Sequence, residues 1–228
     1  MMDLRITRDR LRNHFHYSKW SYILVVGLMM VVWSFTFSAT APETPREYKV
    51  DIYILSYASG DLEGWERQIL ESLPPDQQEI NFLTYSIADM SGGQTMEILG
   101  AWMAVQQGDI FVMPMGIYTS LAQSGAFLAL DKPLEEGEPP FIETVPIPED
   151  FDMETLRVEY EVYDEEGAAS LSDGICGVPL DSAEGLLDIY VVPEGMIASV
   201  TTYSINQRNA LSVIAWILEN KQEATTLG

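Results

Sequence analysis

An uncharged apolar stretch, residues 20–41, constrains this chain more than any other feature. Its sequence is WSYILVVGLMMVVWSFTFSATA. A helix rises ~1.5 Å per residue, so a stretch of this length crosses a hydrocarbon core of ~30 Å. Aromatic side chains lie towards its two ends, as they do at membrane interfaces: Trp20, Tyr22, Trp33, Phe35 and Phe37. The sequence therefore predicts a transmembrane helix at residues 20–41.

Basic residues before this stretch predict its orientation. Residues 1–19 carry five basic side chains against two acidic ones. Short flanks rich in Lys and Arg stay cytoplasmic, so we expect residues 1–19 inside the cell and the domain after the stretch outside it. One alternative is a cleaved secretory signal, because Ala39-Thr40-Ala41 has the small-x-small cleavage pattern. Pro42 disfavours cleavage there, and the length of the uncharged run disfavours the other alternative, a buried core helix.

The part of the chain after the stretch is strongly acidic. Of the 35 acidic and 12 basic residues in the chain, 33 and seven lie beyond residue 40, which leaves a net charge of about −26. Such a charge excludes a nucleic-acid-binding surface. It also disfavours binding to anionic lipid head groups, so we expect residues 20–41 to make the contact with the bilayer.

The positions of histidine and cysteine argue against enzymatic chemistry. His14 and His16 both precede the stretch, and Cys176 is the one cysteine of the chain. The domain beyond residue 41 therefore lacks the imidazole of Ser-His and Cys-His nucleophiles and the usual zinc ligands. We expect no catalytic residue, no metal and no cofactor. A glycosidase that uses two carboxylates is the enzymatic alternative, and it ranks last because many carboxylates do not define a site.

Strands and helices alternate after a short tether at residues 42–48, which contains two prolines. Strands are predicted at residues 49–57, 79–85 and 109–113, and helices at about 61–73, 91–107 and 115–123. Three strand-helix units with short connections predict a parallel, doubly wound α/β sheet within a domain spanning residues 49–228. Later elements are strands at residues 176–180 and 186–192 and a helix at about 204–220.

Residues 132–175 form an acidic, loop-rich insertion in this pattern. Residues 158–163 alternate in polarity, which predicts an exposed strand or the arm of a hairpin. Asp150, Asp152 and Glu154 alternate as calcium ligands do in loops, but the glycine and the loop frame of an EF-hand are missing. We favour a solvated acidic surface over a calcium site.

Three segments carry motifs of one known family. They are GDIFVMPMGIYTSLAQSGAFLALD at residues 108–131, GVPL at residues 177–180, and the helical pattern at residues 204–218. In this order they resemble the extracellular solute-binding proteins of ABC importers, in the sugar-binding branch with the type II periplasmic-binding fold. The resemblance implies a strand that delivers a loop to the ligand cleft, a strand near the inter-lobe crossover, and a late helix that packs on the first lobe.

The resemblance implies a ligand crevice, and in an open α/β sheet such a crevice lies beyond the carboxyl ends of the strands. The candidate ligand-binding residues at those ends are Tyr57, Ser59, Tyr85, Met115, Tyr118 and Asp181. Their aromatic faces and hydroxyls suit a neutral polar ligand such as a sugar. The alternative is that the three tyrosines are structural residues of the sheet rim and that Asp181 caps a turn.

The chain departs from the family in length, because family members continue into a full second lobe after the Gly-Val-Pro strand. We therefore expect a periplasmic-binding-like lobe whose second lobe is reduced or missing. The predicted function is a bacterial, membrane-anchored, extracellular solute-binding-like protein that binds a carbohydrate or other polar solute for an ABC permease. The alternative is a non-catalytic scaffold or interaction subunit of a membrane complex.

Overall fold

A computed structural model describes residues 8–40, 44–75, 77–86, 92–163 and 169–220. The chain divides into two compact units, residues 1–43 and residues 44–228. The first unit contains one long helix, α1 (Arg8–Thr40). Within the described residues one segment, Lys19–Phe37, is long and apolar enough to cross a membrane, and none of it is buried. This exposure does not fit a buried core helix, whereas an anchor and a signal sequence both fit it.

The described part of the second unit contains seven strands and four α-helices. In chain order they are β1 (Lys49–Ile54), α2 (Leu62–Ser72), β2 (Glu79–Thr84), α3 (Gly92–Ala104), β3 (Ile110–Pro114), α4 (Met115–Ala122), β4 (Arg157–Tyr163), β5 (Ala169–Ile175), β6 (Val178–Pro179), β7 (Met196–Val200) and α5 (Gln207–Glu219). Short 3-10 helices occur at Arg46–Tyr48, Phe141–Glu143, Met153–Leu156 and Glu184–Ile189. The three predicted strand-helix units are thus confirmed, although β1 ends at Ile54 and α3 at Ala104, before the predicted ends.

The central sheet has five strands in the order β2-β1-β3-β7-β6. β1 is parallel to β2 and β3, as predicted, but β7 is antiparallel to both of its neighbours. The sheet is therefore mixed, and the expectation of an all-parallel sheet is wrong on this side. Sequence reasoning missed β7 because its residues, MIASV, directly precede a run of hydroxyl side chains that indicates a loop.

Helices cover both faces of the sheet, because alternate residues of each strand point to opposite faces. On one face Val50, Ile52 and Ile54 of β1 pack in a cluster with α2 and α5. On the other face Tyr53 and Leu55 belong to a second cluster with α3 and α4. Complete burial of one such aliphatic or aromatic side chain contributes ~1.5–3 kcal/mol, so these two clusters account for the layered fold.

The acidic insertion contributes a hairpin, as the alternation at residues 158–163 predicts. β4 pairs with β5 in antiparallel register from Arg157–Ile175 to Tyr163–Ala169. Val158 and Ile175 of the hairpin are buried in the cluster formed with α3 and α4. Packing on one face of the lobe therefore holds this segment in place.

Two of the three residues of the calcium alternative, Asp152 and Glu154, have partners within the protein. Asp152 accepts a hydrogen bond from the backbone N–H of Glu154 (3.1 Å) at the start of a 3-10 helix. Glu154 forms an ion pair with Arg157, with Oε2 at 2.7 Å from Nε. Among the described residues, no group of three or more His, Cys, Asp or Glu side chains is arranged to hold a metal ion.

The predicted strand at residues 186–192 is wrong. Glu184–Ile189 forms a 3-10 helix, and the N–H groups of Tyr190 and Val191 bond back to the carbonyls of Leu187 (3.0 Å) and Leu186 (3.0 Å). Leu186, Ile189 and Val191 are therefore buried, on the face that packs with α2 and α5.

A buried carboxylate organises the amino-terminal edge of the sheet, where α5 begins. Asp109 accepts hydrogen bonds from the N–H of Asp51 (2.9 Å) and the hydroxyl of Ser204 (2.6 Å), and only 2% of it is exposed. Burial raises the pKa of the Asp109 carboxyl, although these hydrogen bonds oppose the shift. Asn206 directly precedes α5, and its amide donates to the Lys49 carbonyl (2.8 Å) instead of capping the helix.

Candidate functional site

Four strands of the central sheet end at one edge, which we call the carboxyl edge. β1, β2 and β3 run parallel, and β6 has the same direction because β7 is antiparallel to both β3 and β6. Backbone hydrogen bonds continue past the strand ends, from Tyr85 to Ile54 (2.8 Å) and from Leu180 to Met196 (2.9 Å). The carboxyl edge is therefore where the topology collects the predicted site residues.

A topological switch point lies at this edge between β1 and β3. The strand order reverses around β1, and the helices that follow β1 and β2, α2 and α3, pack on opposite faces of the sheet. Ligand crevices of open α/β sheets form at such points. Here Leu55 is buried, and half-buried Tyr85 and Met115 pack against the same hydrophobic cluster. Tyr85 packs edge-on against Trp102, with ring centroids 4.5 Å apart.

Met115 and Asp181 contact the same loop, which leads into β7. The N–H of Met115 donates to the Gly195 carbonyl (3.1 Å), and the N–H of Gly195 donates to Oδ1 of Asp181 (3.2 Å). Asp181 thus behaves as the turn-capping residue that the sequence left open as an alternative. Oδ1 of Asp181 and the N–H of Met115 are therefore both hydrogen-bonded within the protein.

Tyr118 lies in the core and not at the crevice surface. Its side chain is completely buried, and its hydroxyl donates to the Leu156 carbonyl and accepts from the N–H of Cys176 (3.2 Å). Burial raises the pKa of this hydroxyl. The expectation that Tyr118 contacts a ligand is therefore corrected: the residue joins α4 to the 3-10 helix before β4 and to the residue that follows β5. A phenol in the core needs such polar partners.

Tyr57 and Ser59 lie in the loop after β1. The ring of Tyr57 is 67% exposed, whereas Ser59 is half-buried and its N–H donates to the Ile189 carbonyl (3.0 Å). This hydrogen bond attaches the loop to the 3-10 helix Glu184–Ile189. The structure therefore places Tyr57 beside residues that the sequence had assigned to a strand.

Three exposed apolar residues were missed by sequence reasoning, and they lie in the segment to which the Tyr57 loop is hydrogen-bonded through Ser59 and Ile189. Leu187, Tyr190 and Val192 are 45%, 68% and 62% exposed, and we group them with Tyr57 under the name apolar edge patch. Tyr190 has φ +60°, one of two non-glycine residues with positive φ in the described chain. L-residues other than Asn and Asp rarely adopt this conformation, and such backbone outliers cluster at functional sites. Pro193, which directly follows Val191 and Val192, was the available signal against a central strand at residues 186–192.

A separate cavity of about 330 Å³ lies against α5, and no predicted site residue lines it. Its walls are mainly apolar and include Leu128, Phe141 and Leu211. Arg208 at its rim is paired with Glu135 and Glu138, each at 2.9 Å. The charge of Arg208 is therefore paired within the protein and is not free to bind a ligand in the cavity.

Cys176 does not supply a nucleophile. The residue is completely buried between β5 and β6, and burial raises the pKa of its thiol to about 12. The thiolate is the reactive form of cysteine, so the side chain is inert at neutral pH. Its role is that of a small apolar residue in the core.

Comparison of the chain with protein-family models, with curated proteins and with solved structures finds no match. The likeness to solute-binding proteins therefore remains a prediction that rests on the three sequence segments. What the structure adds is the chemistry of the carboxyl edge.

Proposed function

We propose that this protein is a membrane-anchored, extracytoplasmic binding module without catalytic activity, which engages a partner protein at the carboxyl edge of its sheet. One observation carries the proposal: Tyr57 and Tyr190 expose about two thirds of their side chains at this edge, 67% and 68%, on a surface attached to the fold by main-chain hydrogen bonds. Such a surface is already formed before any partner arrives.

The chemistry of this surface suits protein contact better than catalysis. Tyrosine is enriched among the residues that carry most of the binding energy at interfaces, because it buries a large area with few rotatable bonds. Two polar groups at this edge are engaged internally through Gly195: one carboxylate oxygen of Asp181 and the N–H of Met115. The absence of histidine beyond residue 41 supports a non-enzymatic role.

The charge pattern along the sequence supports the proposed address. The basic flank at residues 1–19 favours a cytoplasmic N-terminus, and the apolar segment Lys19–Phe37 is long enough to span a bilayer. The acidic domain would then lie outside the cell. Protease treatment of intact cells should remove residues 42–228 from a full-length, membrane-fractionated protein. A soluble fragment released into the medium by signal cleavage would contradict the anchor.

A second candidate is a receptor that binds a carbohydrate or other polar solute for an ABC permease. The switch point between β1 and β3 favours it, because half-buried Tyr85 and Met115 line a position where α/β sheets bind ligands. Closure around a solute requires a second wall. In this candidate a partner chain supplies that wall.

One experiment separates the two candidates. Full-length protein in lipid nanodiscs is titrated with oligosaccharides, amino acids and peptides while its thermal midpoint is followed, and the same protein is purified from membranes with its partners. A saturable rise with one solute favours the receptor. A stoichiometric membrane partner that is lost in Tyr57→Ser and kept in Val105→Ser favours the interaction module. Val105 is a suitable control because it is 63% exposed outside the apolar edge patch.

A further inference from the structure

The charges around the apolar edge patch all have one sign. The chain segments that carry the patch residues, 57–61 and 181–194, contain five acidic residues and no basic residue. All five carboxylates are exposed: Asp61, Asp181, Glu184, Asp188 and Glu194. An apolar centre with a rim of charge is the usual anatomy of a protein interface.

Three carboxylates of this rim lack an ion pair within the described residues. No ion pair there involves Asp181, Glu184 or Glu194, whereas the basic residues Lys49, Arg157 and Arg208 are paired with carboxylates elsewhere. Carboxylates without counter-ions attract cations. The partner must therefore bring positive charge to this rim.

We propose that the apolar edge patch binds a protein segment in which apolar side chains are flanked by Lys and Arg. The inference rests on the proposed function and names the chemistry of the partner. Apolar residues of that segment would cover Tyr57, Tyr190 and Val192, and its cations would face Asp181, Glu184 and Glu194. Charge excludes two other occupants, since a second copy of this acidic domain and an anionic lipid surface would both repel the rim.

The two parts of the surface predict different kinetic effects. Rim charges act over a Debye length of ~8 Å at physiological ionic strength, so they accelerate association and lose influence as salt rises. The tyrosines act at contact and slow dissociation. Salt should therefore lower the association rate, while removal of a tyrosine ring should raise the dissociation rate.

The test uses full-length protein in phosphatidylcholine nanodiscs and three short synthetic peptides of equal length. The peptides share their leucine and tryptophan positions and carry Lys, Gln or Glu at all the others. Two variants remove rings without altering charge: Tyr57→Ser, and Tyr190→Asn, which tolerates positive φ. Val105→Ser is the matched control, because it removes an exposed apolar side chain outside the patch.

We expect saturable binding of the Lys peptide, weakened about tenfold or more in each tyrosine variant and unchanged in Val105→Ser. If both tyrosine variants bind the Lys peptide as tightly as the wild type, only bulk charge attracts it and the inference is overturned. If the Gln peptide binds as tightly as the Lys peptide and depends on the tyrosines, the basic partner is wrong while the binding edge stands. If no peptide and no partner protein depends on Tyr57, the proposed function fails as well.

Discussion

Replacement of Tyr190 by glycine tests whether the left-handed backbone at this position stores strain. The side chain is 68% exposed and φ is +60°, so the ring contributes little burial while the backbone is unfavourable. A left-handed conformation costs an L-residue ~1–2 kcal/mol, and glycine adopts it without that cost. Tyr190→Gly therefore relieves the strain at the position that displays the ring.

Tyr57→Gly is the matched control for this change. Tyr57 is 67% exposed, also lies in a loop, and is not among the residues with positive φ. Both variants lose a similar burial, and both gain unfolded-state freedom worth ~0.5–1 kcal/mol. We expect Tyr57→Gly to lower the free energy of unfolding by ~1 kcal/mol, and Tyr190→Gly to leave it unchanged or to raise it by up to ~1 kcal/mol.

Equilibrium urea unfolding of full-length protein in non-ionic detergent measures this difference. The signal is the intrinsic fluorescence of the five tryptophans. Two of them, Trp65 and Trp216, pack against each other with ring centroids 5.3 Å apart and report on the α2–α5 face. Equal losses of stability in the two glycine variants would refute the strain argument. A smaller loss in Tyr190→Gly would mean that the protein retains a locally unfavourable residue at the apolar edge patch, as functional sites often do.

Three further predictions concern the core. Because burial raises the pKa of Asp109, the folded lobe holds that proton more tightly than the unfolded chain, so stability falls as pH rises from ~3.9 through the folded pKa; urea titrations at each pH should show this slope in the wild type and not in Asp109→Asn. Gly177→Ala should cost ~1–3 kcal/mol, because its Cβ would lie 2.5 Å from Cγ2 of Ile197, whereas Gly93→Ala meets nothing within 4 Å and should be neutral or stabilising; equal effects in the same assay would contradict this. Tyr118→Phe should cost ~1–3 kcal/mol by leaving buried partners of its hydroxyl unsatisfied, and an unchanged urea midpoint would contradict its structural role.

Local patterns predicted much of the fold. Short β-rich apolar runs and the proline and glycine breaks located β1, β2, β3 and their helices, and the parallel pairing of these strands followed from the short connections. The antiparallel β7 did not follow, because nothing local distinguishes a five-residue apolar strand that joins a sheet in reverse from one that joins it in parallel. The pairing partner decides the direction, and that is a long-range property.

The candidate site divides in the same way. Tyr57, Tyr85, Met115 and Asp181 were expected at the strand ends, and the topology places them at one edge. The orientation of side chains could not be deduced, so Tyr118, one helical turn into α4, was expected at the surface and lies in the core. Tyr190 was missed because it is exposed in a left-handed turn, and sequence periodicity does not encode a positive φ.

Site-specific photo-crosslinking in intact cells tests the central claim most directly. A photoreactive phenylalanine analogue is placed at Tyr57 and at Tyr190, with Val105 as the control position on another surface of the lobe. The account predicts one crosslinked protein from both edge positions and none from position 105, with basic residues in the crosslinked segment. Equal crosslinking from all three positions, or none from the two tyrosine positions, would contradict it.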